Sequence, residues 1–210
     1  MDKQAVWAHI HAERRALAAT LADLSPEHWQ ADSLCAGWTV QDVAAHVISH
    51  PQIGWAQMSP MVARNVGRGY NAMIFREVKR MGATSTRESI LADYAAYDGS
   101  TRKVPTTTVL EPLMDCLVHH QDIVRPLGLR RDMDPEAAAV AADRARTLAF
   151  LSGTRKLVRS SRMVATDVDW VRGSGPTITG PMQELLMVCM GRARVATEIS
   201  GDGLELLVGS

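Results

Sequence analysis

The segment Met114-Asp115-Cys116-Leu117-Val118-His119-His120-Gln121-Asp122 carries the strongest chemical signal in this sequence. On a helix, Asp115 and His119 lie four residues apart and share one face. Asp122 falls three residues further on, near the same stripe. A carboxylate and an imidazole one turn apart can both reach a single divalent ion, which is how side chains of facing helices build metal sites in bundles. Two protein ligands are too few for a tight site, so a third must come from elsewhere. His46 is the best candidate, because Val43, Ala44, Ala45 and Val47 surround it with apolar residues and predict an inward-facing ring. Two histidines and one carboxylate, with a coordination position left open, recur in catalytic zinc and ferrous iron sites. The competing reading is a chance surface pair at 115 and 119 and a core histidine at 46.

The other candidates carry less. His120 points about 100° away from His119 on an ideal helix, which suits packing or support of the ligands. His9 and His11 share a charged stretch with Glu13 and Arg14, so a solvated face is expected there. His28 and His50 fall near helix ends, where they can cap carbonyls. Cys35 lies in a connector before a helix start, where a thiolate can be stabilised, although a buried structural role fits general cysteine usage better. Gly173-Ser174-Gly175 lacks the strand-to-helix setting of a phosphate loop, since Pro176 and an expected strand follow.

The elements that must position these residues are mostly helical. Val6, Trp7, Ile10, Leu17, Leu21 and Leu24 recur at three- and four-residue spacing and predict a helix over 3–24, stopped at Ser25-Pro26. Thr39 and Asp42 have the spacing of a capping box at the start of a helix that runs to about His50. Residues 51–69 give no clear pattern. Helices are expected over 70–82, 86–98, 107–125 and 134–152, the last opened by Asp134-Pro135. After about residue 160 the pattern changes. The run Met163 to Trp170 and the short Thr177-Ile178-Thr179 predict two strands in a hairpin, followed by a helix over 181–191 and a last strand over Leu204 to Val208. The expectation is a mainly α protein, with a helical, metal-binding region over 1–158 and a small C-terminal α+β domain over 159–210.

Composition sets outer bounds. With 210 residues, 46% hydrophobic and 22% charged, the chain can bury an ordinary core. Basic and acidic residues balance at 23 each, so neither nucleic acid nor an anionic membrane is expected as a partner. Cys35, Cys116 and Cys189 are odd in number, widely spaced and form no CxxC pair. That argues against a disulfide scaffold and a cysteine-based zinc site, and it favours a reducing, cytoplasmic location. No apolar signal segment opens the chain, and Leu185 to Met190 is too short to span a bilayer.

Several stretches together resemble one family. They are Trp7-x-x-Ile10-x-x-Glu13-Arg14, Ser33-Leu34-Cys35-Ala36-Gly37-Trp38-Thr39-Val40-Gln41-Asp42-Val43-Ala44-Ala45-His46, and Val118-His119-His120-Gln121-Asp122-Ile123-Val124-Arg125-Pro126-Leu127-Gly128. Ala165 to Trp170, Gly173 to Pro176, Gly191-Arg192 and Ser200 to Gly203 follow in the same order. The chain thereby resembles the mycothiol-dependent maleylpyruvate isomerases. The resemblance implies a DinB-like four-helix bundle, and a divalent metal, zinc first among candidates, bound by His46, Asp115 and His119. It implies mycothiol as thiol cofactor, a small-molecule substrate, and a chain working as monomer or homodimer.

An ion with an open position would lower the pKa of a bound thiol. Thiolate addition to an activated double bond, rotation about the new single bond and thiol release would then exchange geometric isomers. Arg192 is the candidate catalytic cation for the substrate's carboxylates. Retention of the adduct would instead make a mycothiol S-transferase. The sequence departs from the family at Asp115, where the pattern carries glutamate. The shorter side chain reaches about 1.5 Å less, so a non-catalytic metal- or ligand-binding protein on the same scaffold is the third expectation.

Overall fold

In the computed structural model, which describes residues 1–207, the chain divides into two units, Met1–Arg130 and Arg131–Ser210. In the first, α1 (Lys3–Asp23) starts where the Asp2 carboxylate accepts a hydrogen bond from the Ala5 amide at 2.8 Å. Its apolar stripe buries Val6, Ile10, Leu17 and Leu21. Helix α1 stops at Asp23, and Pro26 then opens a short second helix, α2 (Pro26–Gln30), where its missing N–H costs nothing. The expected capping box holds α3 (Val40–Ser49): the Asp42 amide donates to Thr39 Oγ1 at 3.3 Å, and the Thr39 amide donates to Asp42 Oδ2 at 2.9 Å.

The unpatterned stretch contains α4 (Trp55–Ala63), a helix with no buried side chain. Burial leaves its mark on a sequence as periodicity, so nothing there could reveal it. Helices α5 (Tyr70–Thr84), α6 (Arg87–Ala96) and α7 (Leu110–Val124) lie within or close to their expected spans. Helix α1 packs on α6 and α7, and α3 packs on the same two, which closes a four-helix bundle. Helix α5 lies outside it against α3. From Pro112 onward, every residue of α7 except Asp115 is buried, so this helix is the core of the bundle.

Its polar residues are therefore paired. The His120 ring, fully buried, meets Glu13 Oε1 at 2.6 Å and Thr20 Oγ1 at 3.0 Å across to α1. His9 and His11, expected on a solvated face, are half-buried, and of their charged neighbours Glu13 and Arg14 are both buried, Glu13 as the partner of the inward imidazole.

The second unit begins earlier than the expected boundary after residue 158. Helix α8 (Pro135–Thr147) packs on α10 (Met182–Cys189) through Ala137, Ala138, Ala141, Ala142 and Ala145, all buried, so α8 belongs with the C-terminal part. A short α9 (Arg155–Ser160) leads into β1 (Arg162–Ala165), β2 (Val171–Gly173) and β3 (Thr177–Gly180), in spatial order β2-β1-β3. Strand β3 does not form the expected hairpin with β1. Strand β1 pairs antiparallel with β2, Arg162 facing Gly173, whereas β3 runs parallel to β1, Arg162 facing Thr177. Since β2 ends beside the start of β1, Ser174 to Pro176 need only cross that end to begin β3 on the other edge. The crossing runs so close to Ser160 that a Cβ at Gly175 would strike its carbonyl, and Gly175 has φ +117°. The expected last strand is instead a 3-10 helix over Asp202–Leu207, and Val208 lies outside the described residues. Among the described residues, no helix is long and apolar enough to cross a membrane.

Candidate metal centre

Three segments of the first unit converge on one point. Helix α3 supplies His46 and, one turn on, His50; α7 supplies Asp115, His119 and Asp122. The connector between α2 and α3 supplies Cys35 and Trp38. That connector is fixed by a β-turn closed from the Trp38 amide to the Cys35 carbonyl at 2.9 Å, with Gly37 at φ +78° in its third position. The Leu34 amide donates to the Asp122 carbonyl at 3.0 Å and ties the connector to α7.

The ligand atoms of His46, Asp115 and His119 lie within 4.8 Å of one another. His46 Nε2 stands 3.6 Å from Asp115 Oδ2, and the His46 and His119 rings are edge-to-face at 5.1 Å between centroids. Trp38, nearly buried, covers both rings at 5.4 and 6.0 Å. His50 Nε2 reaches the same Asp115 oxygen at 2.8 Å. Behind His119, Nδ1 lies 2.8 Å from Asp122 Oδ2, so Nε2 is the ring nitrogen left to face an ion. Asp122 is wholly buried.

Burial and contact set the charges. Burial pushes His46 down to about 4, against the opposing pull of Asp115, so the ring is neutral at pH 7. Burial alone would raise Asp115, but the hydrogen bonds from His46 and His50 outweigh it and hold the carboxyl well below the usual carboxylate range. Burial would also lower His119, yet Cys35 and Asp122 at its Nδ1 prevail and push it up to about 10.

The donor set fits a divalent ion. It offers two imidazoles, an ionised carboxylate, and a buried carboxylate orienting one imidazole from behind, the outer support that metal-bound histidines usually have. The His50 Nδ1, buried without a hydrogen-bond partner, shows that polar groups here are not all satisfied by the protein itself.

Residues 10–124, more than half of the chain, match the family described as the mycothiol maleylpyruvate isomerase N-terminal domain. The chain belongs to this family. Among solved structures, the fold is similar to crystal structures of the mycothiol-dependent maleylpyruvate isomerase and of a histidine-to-alanine mutant of it, each with a TM-score of 0.64. Identity is 13% and 12%, and each comparison covers 96% of this chain and 93% of the other. No protein with a curated description matches the chain. The family's N-terminal domain match falls inside the first unit and contains every residue of the metal centre.

Arg192 lies in the second unit, outside the matched residues, at the start of a 3-10 helix (Ala193–Val195). Its Nη1 donates to the Met190 carbonyl at 2.6 Å. Sequence reasoning gave His50 only a helix-end role; it is the C-cap residue of α3, but its buried ring bonds Asp115 instead of a helix carbonyl, and His28 is exposed. The signal existed: His46 and His50 stand four apart on one helix, the spacing already used for Asp115 and His119.

Proposed function

We propose that the chain is a metal-dependent, mycothiol-dependent isomerase of the maleylpyruvate isomerase type, with a divalent ion, zinc foremost, held by His46, Asp115 and His119. One observation carries this reading: ligand atoms of those three side chains, from two helices, lie within 4.8 Å of one another. When bound there with a position open, the ion supplies a Lewis acid that favours the thiolate form of a thiol.

The chain's own residues do the rest by placement. Neutral His46 offers a lone pair without first losing a charge. Asp115, held by His50 at 2.8 Å, keeps one oxygen fixed despite its short side chain. Asp122 accepts from His119 Nδ1 and aims Nε2 forward. Trp38 shields the two rings from water. From the Gly191-Arg192 stretch of the sequence, and not from its placement, Arg192 is the proposed cation for a substrate carboxylate, a role suited to a planar guanidinium that can bind two oxygens at once.

Metal analysis and turnover test the proposal together. Purified chain should carry about one ion per molecule at this set of ligands. It should convert maleylpyruvate to its trans isomer only with mycothiol present. His46→Ala and His119→Ala should each lose most of the ion and the turnover. Equal ion content in all three proteins would remove the site. Accumulation of a mycothiol adduct without isomerisation would replace the isomerase with an S-transferase.

A further inference from the structure

On the opposite side of the His119 ring, Cys35 Sγ lies 3.6 Å from Nδ1 and 3.1 Å from Asp122 Oδ2, while Nδ1 and Oδ2 are 2.8 Å apart. From these atoms we propose a second metal site, made by Cys35, His119 and Asp122, that takes a thiophilic divalent ion through a thiolate. It is independent of the first site except for the shared ring.

The geometry favours it. A point equidistant from three atoms at those separations sits about 1.9 Å from each, and an ion raised about 1 Å out of their plane lies about 2.1 Å from all three, within a few tenths of an ångström of ordinary zinc–sulfur, zinc–nitrogen and zinc–oxygen lengths. The donors are also held in place. The Cys35 amide donates to Ser33 Oγ at 3.1 Å, and Ser33 Oγ donates to the Trp38 carbonyl at 2.9 Å, which locks the connector; Asp122 is fully buried on the central helix. Cys35 is half-buried and in no disulfide. Thiolate ligation selects soft ions, whereas the two imidazoles and carboxylate on the other side accept harder ones.

Filling this site sends the thiol proton of Cys35 and the proton on Nδ1 to solvent, and leaves His119 with its proton on Nε2. A neutral imidazole therefore serves one site at a time, and the tautomer of His119 decides which.

Cadmium is the probe. Added to the metal-free full-length chain, it should produce the near-ultraviolet absorption of a thiolate-to-metal charge transfer. That band should survive His46→Ala and Asp115→Ala and vanish in Cys35→Ser. Absence of the band in wild type, its persistence in Cys35→Ser, or its loss in His46→Ala would each overturn the site. A measurement on wild type alone guards against a variant that fails to fold. Alkylation of Cys35, followed by peptide mass spectrometry that separates it from Cys116 and Cys189, should slow about tenfold or more when cadmium occupies the thiolate; an unchanged rate would also overturn it.

Discussion

Among single residues, the three proposed ligands are poised unevenly. His46, at about 4, is a free base at neutral pH and Asp115 is ionised, but His119, at about 10, carries a proton. An ion must displace that proton, and acid competes with it. Affinity therefore rises with pH, by about tenfold per unit from about pH 6 to about pH 8, one proton leaving per ion bound. Titration against a competing chelator at several pH values measures this, and a flat profile would show that His119 is not a ligand. His50 acts on the ion only through Asp115. His50→Ala should weaken ion binding about tenfold to hundredfold, the usual effect of removing an outer support, while leaving the helical content unchanged. The same chelator titration reads it, and wild-type affinity in the variant would mean that Asp115 needs no second hold.

At the scale of elements, the site depends on how α3 is started and where α5 lies. The Thr39–Asp42 box fixes the first turn of α3, and Asp42 also takes an ion pair from Lys79 of α5 at 2.5 Å. Gly82 of α5 presses so close that an added Cβ would overlap Asp42 Oδ1. Gly82→Ala should therefore push α5 away or break the box, at a cost of about 1–3 kcal/mol of stability, as overpacking usually does. Urea unfolding measures it, and an unchanged midpoint would show that α5 yields freely. Helix α7 is secured to α1 differently, by the buried His120–Glu13 contact at 2.6 Å. One helix thus keeps adjacent histidines for opposite purposes, His119 facing α3 and the proposed ion site, His120 facing α1 and the fold.

At the scale of the whole molecule, the first unit contains the entire bundle and every proposed ligand, and Arg192 stands in the second. A fragment of residues 1–130 should fold as a helical protein and bind one ion with near wild-type affinity, and it should lack isomerase turnover if Arg192 holds the substrate. Circular dichroism, metal analysis and turnover check these in order. A fragment that remains unfolded would mean that the bundle core needs the C-terminal unit, and one with full turnover would remove Arg192 from the chemistry.

Local features were legible along the chain. Apolar spacing marked α1, the Thr39–Asp42 pair marked the start of α3, and four-residue spacing put Asp115 and His119 on one face. These are short-range properties, set by backbone geometry within a few residues of the position concerned. The remaining contacts exist only once the helices pack. Cys35 meets His119 across 84 residues of chain, and Glu13 meets His120 across 107. Nothing in the spacing of such residues encodes contact, because only the packing of α1, α3 and the connector on α7 brings them together. The parallel pairing of β3 has the same origin. Alternating residues mark a strand, but the edge it joins is set by where the preceding strand ends in space.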